Sequence, residues 1–492
     1  MDNLNQQRKY FSMTRVIALV LTGLLLSQHS LAQSLSEFEQ WKKQYLGEFK
    51  KFKDERDREF ANFLNQKWKN FDTEAGRIRD KKPKPVKIPI AKPIPDSETK
   101  TSKPEIVLEL VKVEPVPVPP VKPVVIAQPQ TSKTRKFDFL GYRLSVADGL
   151  SNAITPFNAR VSQQSIQLKF TELAQSDYPI TIKNLRYLRH QLKLNDWGYM
   201  QLIQQFTDTL HIPLKNKNIV SWFLLLKSGL NSRVAFADDQ VFLLLAVRQA
   251  LYDISFFKFE NQKYYVVSQQ KRLPNQLSSY DGHYPKKLKL SDFRFETAIN
   301  SKQDTTSKRF NFTFKGKTYH LTIPYNSNTL EFLSTYPQMD IDQYFRSPLD
   351  GATATALLDQ LGPMIQNSTE QQAVNLLLRF VQTAFKYQTD GDQFGRENYL
   401  FIEETIFYPA SDCEDRSILF AWLARNLLGL EVVGLDFPGH IATAIRLKKP
   451  LGVAIYHQKK RYTIADPTYI NALAGMKMPQ YKKINPKVIP IL

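Results

Sequence analysis

The spacing of hydrophobic residues predicts helices in the C-terminal third of the chain. Across residues 370–387, Val374, Leu377 and Val381 recur at steps of three and four, which places them on one face of a helix. The same spacing predicts a shorter helix at residues 354–361. The runs that follow read as strands. We therefore expect helices and strands to pack together in this region.

The middle of the chain shows the same mixture of helices and strands. Residues 136–273 predict helices and then alternating strands, and residues 274–349 predict a small β module with a hairpin turn at Lys315 and Gly316. The elements predicted in the first of these regions are helices at 196–209 and 218–227 and strands at 232–237, 240–247 and 264–268. The pattern indicates the α+β fold class, with a third folded region at 350–492.

Aromatic and charged residues dominate residues 34–80. Large apolar residues recur there at steps of three and four, which predicts a long amphipathic helix. They form two series, Phe38, Trp41, Tyr45, Phe49 and Phe52, then Phe60, Leu64, Trp68 and Phe71. The apolar face either packs on the protein's own body or docks on a partner, and both alternatives stay open.

Residues 1–32 have the composition of a secretory signal peptide. Arg8 and Arg15 precede an apolar run at 16–26, and small residues at 30–32 fit a cleavage site. A retained membrane anchor is the less favoured alternative, because a spanning helix needs about 20 apolar residues. We expect an exported protein of the bacterial periplasm or cell envelope.

Proline and lysine are concentrated in residues 81–135. Twelve of the 28 prolines of the chain fall here, and proline fixes φ and removes a backbone donor. The composition predicts a semi-rigid, solvated linker in the polyproline II conformation. Such a linker would hold the globular part away from the N-terminal helix.

The charge of the chain restricts its expected partners. The 492 residues carry a formal net charge of +20. Because export argues against nucleic acid, the functional interpretation is attraction to an anionic envelope surface, such as lipid headgroups or cell-wall polymer. The simpler alternative is a solvated surface that charge keeps soluble.

The chain has a single cysteine, Cys413. Exported proteins that need disulfide bonds for stability have paired cysteines. A lone thiol in such a protein is therefore expected to be either buried or functional. Three acidic residues flank it, and they oppose formation of a thiolate. A reactive thiol at this position would therefore need a cation close by, and an imidazolium would serve.

The residues around Cys413 predict the start of a helix. Ser411 with Glu414, or Asp412 with Asp415, fits a capping box, and either pairing places Cys413 in the first turn. A helix N-terminus stabilises negative charge, and the backbone N–H of the cysteine is available to a developing oxyanion. The helix is expected to end at the glycine that follows residue 428.

Two further polar residues are expected to approach the thiol. His440 opens a predicted strand on which it shares a face with Ala442 and Ala444. The Cys413 helix also has a face of small residues, so we expect strand and helix to pack closely. Asp466 ends another predicted strand, where its carboxylate is expected to accept a hydrogen bond from His440 Nδ1.

Together these three stretches resemble the core of the transglutaminase-like superfamily. The matching features are Asp-Cys-Glu-Asp opening a helix, Gly-His opening a strand and Ala-Asp-Pro-Thr closing one, between residue 380 and the C-terminus. The resemblance implies a papain-like triad with Cys413 as nucleophile, His440 as base and Asp466 as orienting acid. It also implies a C-terminal domain in which the cysteine helix packs on an antiparallel sheet.

The activity implied by the resemblance is cleavage or transfer of an amide or peptide acyl group through a cysteine thioester. A cysteine peptidase acting on a peptide or protein of the envelope is the first expectation. A protein-crosslinking acyltransferase is one alternative. A non-catalytic envelope scaffold that uses the same fold is the other.

Two smaller questions concern the surroundings of the thiol. Gln393 and Tyr408 are weak candidates for a second oxyanion donor. Calcium-dependent bacterial members of the superfamily have a similar Asp-Cys-Glu-Asp stretch, which implies Asp412 and Glu414 as calcium ligands. The capping interpretation of these acids is simpler, and no cofactor is expected.

The sequence also contains a candidate internal repeat. Residues 219–247 resemble residues 418–447, and matched positions such as Trp222 and Trp422 lie 200 residues apart. Gln240 stands in place of His440, and the first copy has no cysteine. One hypothesis is a duplication with a catalytically inactive first copy at 136–273. The other is two unrelated helix–strand units with similar apolar patterns.

Overall fold

The structure is a computed structural model that describes residues 54–65, 68–76, 90–92, 133–153, 160–268, 273–282, 284 and 287–491. The chain divides into two compact units, residues 1–63 and 64–492. In the first unit residues 54–63 are helical. No helix among the described residues is both long and apolar enough to cross a membrane. The predicted signal peptide lies outside the described residues.

The N-terminal part of the second unit combines helices with a six-stranded sheet. Its helices are α1 (Gln163–Gln175), α2 (Tyr178–Gln191), α3 (Asp196–Asp208) and α4 (Leu214–Lys227). Its sheet strands are β1 (Trp68–Asp72), β4 (Ser232–Ala237), β5 (Gln240–Ala246), β6 (Phe256–Phe259), β7 (Gln262–Val266) and β8 (Gln276–Tyr280). They lie in the order β1-β8-β4-β5-β7-β6. A separate hairpin joins β2 (Thr134–Phe139) to β3 (Tyr142–Ala147).

Two boundaries of the predicted regions are wrong. Residues 68–72 form strand β1 rather than the end of a helix, because they pair with β8 and Phe71 packs on Phe259 with ring centroids 4.2 Å apart. Strand β8 was expected in the small β module, but it pairs with β4 in the preceding sheet. Long-range pairing, which hydrophobic spacing does not show, decides both cases.

The predicted small β module contains a hairpin followed by helices. The hairpin is formed by β9 (Thr305–Phe314) and β10 (Lys317–Asn326), with the turn at the predicted Lys315 and Gly316. Helices α5 (Ser327–Ser334) and α6 (Ile341–Phe345) follow. The hairpin packs on the next region through Phe312, whose ring centroid lies 5.4 Å from that of Phe380.

The C-terminal region supplies the elements of the candidate site. Its helices are α7 (Gly351–Ile365), α8 (Glu370–Ala384), α9 (Asp390–Phe394), α10 (Ile402–Phe407) and α11 (Cys413–Leu428). Short strands β11 (Lys386–Tyr387) and β12 (Ala410–Ser411) pair in parallel just before α11. Strands β13 (Val432–Phe437), β14 (His440–Ile445), β15 (Ala454–His457), β16 (Lys460–Ala465) and β17 (Lys487–Pro490) form an antiparallel sheet. The expected α+β class is confirmed in this general sense.

The two large sheets share one strand order. The C-terminal sheet runs β15-β16-β14-β13-β17, and the first sheet, read from its other edge, runs β6-β7-β5-β4-β8 before β1. In each case a helix precedes the two central strands, and β4 and β13 begin and end 200 residues apart. This shared topology is what the duplication hypothesis predicts. The common origin of the two sheets and their helices stays a hypothesis.

Part of the predicted linker lies on the C-terminal sheet. Ile90 forms a parallel bridge with Ile470, and Ala91 N–H donates to the carbonyl of Ile470 at 2.8 Å. Ala91 is buried in a cluster that includes Tyr462 and Tyr469. Residues 90–92 therefore belong to the folded domain rather than to a solvated spacer, and most of the remaining linker lies outside the described residues.

Candidate functional site

Cys413 occupies the first position of helix α11. Asp412 is the N-cap residue, and the carboxylate of Asp415 accepts a hydrogen bond from Asp412 N–H at 3.2 Å. Of the two predicted capping pairs, the structure therefore shows Asp412 with Asp415. The helix ends at Gly429, which adopts φ +62° as the αL cap. Local sequence signals thus place the thiol at the positive end of the helix dipole.

His440 and Asp466 form a buried pair. His440 opens β14, Asp466 follows β16, and the two strands are hydrogen-bonded neighbours. His440 Nε2 lies 2.9 Å from Asp466 Oδ2, while Asp466 Oδ1 accepts from the backbone N–H groups of Thr468 and Tyr469 at 2.9 and 3.2 Å. The prediction that Asp466 binds Nδ1 is wrong, because its carboxylate contacts Nε2 instead. Nδ1 is therefore the ring nitrogen that Asp466 does not contact.

The strand that carries His440 meets helix α11 differently from the prediction. Ala442 and Ala444 lie in a cluster with Tyr462 and Ile464, so the small face of β14 packs on the sheet and the C-terminal segment. The helix is joined to β14 by Ser417 Oγ, which donates to a β14 backbone carbonyl, that of residue 441, at 3.1 Å. This polar contact ties the helix to the start of the strand, and α11 packs closely on β14 as expected, although Ala442 and Ala444 lie in the cluster of the sheet.

The thiol of Cys413 is directed at a carboxylate. Its Sγ donates to Glu414 Oε2 at 2.9 Å. In the described part of the chain, His440 Nδ1 is buried and has no hydrogen-bond partner. The thiol and the imidazole are therefore not hydrogen-bonded to each other in this structure, although the His440–Asp466 pair is formed.

The three predicted triad residues are all buried. Cys413 is 0%, His440 1% and Asp466 4% exposed. The thiol is therefore shielded from solvent in this structure.

An aromatic residue covers the imidazole. The ring of Tyr481 lies 5.4 Å from that of His440, with the two planes 6° apart. Burial raises the pKa of Tyr481, and the proximity of Cys413 and Asp466 raises it further. Tyr481 thus stacks on the imidazole and lies close enough to Cys413 and Asp466 for both to act on its pKa.

A buried arginine and a glutamine connect the three elements of the site. Arg416, fully buried in α11, donates from Nη1 to the carbonyl of Gln382 at 3.2 Å and from Nη2 to that of Phe385 at 2.7 Å. Gln382 Nε2 donates in turn to the backbone carbonyl of Asp466 at 3.2 Å. Burial lowers the pKa of Arg416 to about 10, although the neighbouring acids and Cys413 oppose the shift. Helix α8 thereby fixes the cysteine helix relative to the Asp466 loop.

The acids around the thiol form two groups. The group that contains the two expected calcium ligands, Asp412 and Glu414, takes the Cys413 sulfur as its third donor, whereas calcium prefers oxygen ligands. Asp390, Asp412 and Asp415 form a second buried group, which consists of carboxylates alone. There, Asp412 Oδ2 accepts from Asp390 N–H at 3.3 Å.

The two weak oxyanion candidates have different surroundings. Gln393 lies on α9, whose first N–H binds the side chain of Asp412, the residue before the cysteine. Its Nε2 is buried and makes no hydrogen bond within the described residues. The ring of Tyr408 instead packs on Phe394 at 5.1 Å. Gln393 is therefore the candidate with an available donor.

Sequence reasoning missed three residues of this site. Tyr481, Arg416 and Gln382 were not predicted, because each acts through tertiary contacts that no local motif encodes. The only local signal was the position of Arg416 inside the Asp-Cys-Glu-Asp-Arg stretch, next to the predicted nucleophile.

The chain was compared with protein-family models, with curated proteins and with solved structures. None of the three comparisons found a match.

Proposed function

We propose that this chain is an exported thiol enzyme of the bacterial cell envelope that cleaves or transfers an amide or peptide acyl group. The observation that supports the proposal most is the buried His440–Asp466 pair beside the helix whose first residue is Cys413, with a His440 Nδ1 that has no hydrogen-bond partner among the described residues. A carboxylate on one ring nitrogen fixes the tautomer and leaves the other nitrogen to act as a base.

In this mechanism the thiol first turns from Glu414 to His440 Nδ1, which takes its proton. The thiolate attacks the substrate carbonyl, and the resulting oxyanion accepts hydrogen bonds from the Cys413 N–H and the Gln393 amide. The imidazolium then protonates the leaving amine as the carbon–nitrogen bond breaks and a thioester forms. Water attacks the thioester, gives its proton to His440, and releases the acid and the free thiol.

A cysteine peptidase is the form of this activity that we favour, acting on a peptide or protein of the envelope. The same thioester can instead be attacked by a substrate amine, which would make the protein a crosslinking acyltransferase. The two activities are separated by their product: hydrolysis gives a free acid, whereas transfer in the presence of an added primary amine gives an amide.

The proposal is tested by replacing the nucleophile. In extracts of envelope peptides and proteins, Cys413→Ala should abolish the hydrolysis that iodoacetamide inhibits in the wild type, and His440→Ala should reduce it by at least about a hundredfold. His457→Ala is the matched control, because this histidine lies in the β15–β16 hairpin and the variant should retain full activity. Unchanged turnover in Cys413→Ala would refute the proposed thiol-enzyme activity.

A non-catalytic envelope scaffold is the second candidate, and one observation favours it. Cys413 is fully buried and its thiol binds Glu414 rather than His440. A structural cysteine is inert, whereas a catalytic one reacts at neutral pH. Quantitative labelling of the native protein decides between the two: a thiol that stays unlabelled by iodoacetamide at pH 7 until the protein unfolds would support the scaffold.

A further inference from the structure

The residue that covers the imidazole has no chemical step in the mechanism above. Tyr481 closes a short 3-10 turn, Pro479–Tyr481, which precedes β17. Its ring plane is almost parallel to that of the His440 ring, 6° apart at 5.4 Å. Phe437 completes an aromatic group, with its ring 4.9 Å from Tyr481 and 6.3 Å from His440. His440 is therefore packed against flat apolar surface while its edge makes the polar contact with Asp466.

The covering ring is fixed at both of its ends. The backbone N–H of Tyr481 donates to Met478 O at 3.0 Å, and its carbonyl accepts from Ile484 N–H at 2.8 Å. The phenol donates to the carbonyl of Pro438, in the turn just before His440, at 3.3 Å. Because the side chain is held both by its own turn and by the turn that carries the imidazole, the ring cannot swing away from His440 without breaking the bond to Pro438.

The imidazole itself has fewer restraints. Its one hydrogen bond within the described structure joins Nε2 to Asp466, and Nδ1 has no partner there. A single hydrogen bond leaves a planar ring free to tilt about the N–O axis, whereas a stacked neighbour opposes that tilt. Misplacement of a base by a fraction of its contact distance is costly in proton transfer.

We propose that Tyr481 is a positioning residue, whose stacked ring holds the His440 imidazole in the plane that keeps Nε2 on Asp466 and presents Nδ1 to the Cys413 thiol. This inference rests on the proposed function and adds a residue to it. The aromatic face performs the task, and without the hydroxyl group the ring is still held by the backbone hydrogen bonds of its turn and by Phe437. Leucine in place of Tyr481 should disturb the base, whereas phenylalanine should preserve it.

The test measures how far the imidazole assists the thiol, separately from access to the thiol. The rate of Cys413 alkylation by iodoacetamide is measured at pH 7 and at about pH 9.5, where a free cysteine is already largely ionised without assistance. Improved or impaired access changes both rates equally and cancels in their ratio. The ratio of the neutral to the alkaline rate therefore reports the assistance alone.

Tyr481→Leu should lower this ratio about tenfold, and Tyr481→Phe should keep it within about twofold of the wild type. Tyr462→Leu is the matched control, because Tyr462 is buried in the same cluster but its hydroxyl binds Glu431 rather than the site. An unchanged ratio in Tyr481→Leu overturns the inference, and so does an equal loss in Tyr462→Leu, which would reveal a general effect on the core.

His440→Ala separates this inference from the proposal on which it rests. A fall of the ratio in His440→Ala with no fall in Tyr481→Leu overturns the role of Tyr481 and leaves the thiol enzyme standing. An unchanged ratio in His440→Ala shows that the imidazole does not assist the thiol, and both the proposed chemistry and the role of Tyr481 then fail.

Discussion

At the residue scale, the thiol of Cys413 lies between two groups with opposite effects on its ionisation. Glu414, which accepts its hydrogen bond at 2.9 Å, opposes a thiolate because like charges repel. His440 would favour a thiolate, but its Nδ1 makes no hydrogen bond in the described residues. Under the proposed mechanism the thiol therefore becomes reactive when it turns from Glu414 to His440.

Glu414→Gln should make Cys413 more reactive. Removing the adjacent negative charge favours the thiolate, so the alkylation rate near pH 7 should rise about tenfold. The rate is measured by mass spectrometry of the iodoacetamide-labelled protein between pH 6 and 9. Glu404→Gln serves as control, because it neutralises a buried acid whose carboxylate binds the N–H of Phe401. Equal rates in the two variants would contradict the prediction.

The residue types of the site could be predicted from the sequence, but their contacts could not. A lone cysteine at a capped helix start, a Gly-His strand start and an Asp-Pro strand end identify Cys413, His440 and Asp466. The choice of Nε2 for Asp466, the bond from the thiol to Glu414 and the cover by Tyr481 depend on side-chain rotamers and on the path of the C-terminal segment. Hydrophobic spacing carries no information on either.

At the scale of the elements, predictions held where the signal was local. The helix of the candidate nucleophile begins at Cys413 and ends before Gly429 as expected, because its N-cap and its C-cap glycine are both written in the sequence. The strand at residues 68–72 was missed because Trp68 and Phe71, three residues apart, fit one face of a helix but opposite faces of a strand. Its antiparallel pairing with β8, about 200 residues away, makes this segment a strand.

Gly429→Ala tests the C-cap of α11. Gly429 has φ +62°, and a Cβ added to it would meet no atom within 4 Å, so the substitution adds backbone strain without a clash. We expect a loss of about 1 kcal/mol in the free energy of unfolding. Gly391 in α9 also has open space around it and has no positive φ, so Gly391→Ala should instead stabilise by about 0.5 kcal/mol.

Urea unfolding of both glycine variants, followed by tryptophan fluorescence, checks these opposite signs. Because the two substitutions add the same methyl group to a helix, their difference isolates the effect of the left-handed backbone. A Gly429→Ala midpoint equal to or above that of the wild type would show that the end of α11 is not held in the αL conformation.

At the scale of the whole molecule, burial of acids in the C-terminal region makes folding depend on pH. Burial raises the pKa of Glu403 to about 8 and that of Glu404 to about 7, from an ordinary value of 4.5. Glu403 Oε1 accepts from Asp350 N–H at 2.8 Å, and Asp350 opposes ionisation of Glu403 by its own charge. Both carboxyls thus bind protons more tightly in the folded chain than in the unfolded one.

The sign of the pH dependence follows from these raised values. The stability that the two protonated carboxyls contribute is fully present below about pH 4.5 and is lost as the pH rises through 7 and 8. Each carboxyl changes the free energy of unfolding by about 1.4 kcal/mol per pH unit while it is protonated only in the folded chain. The double variant Glu403→Gln/Glu404→Gln should therefore lose less stability than the wild type between about pH 5.5 and 8.

Urea midpoints measured at half-unit steps of pH give the two slopes. Glu431→Gln is the matched control: Glu431 lies at the surface, and hydrogen bonds from Lys460, Arg446 and Tyr462 lower its pKa to about 2, so it stays ionised in this range. Its removal should shift the whole curve without changing the slope. If the double variant and the wild type lose stability in parallel, the carboxyls of α10 are ionised in the folded protein, and charge elsewhere in the molecule must account for its pH dependence.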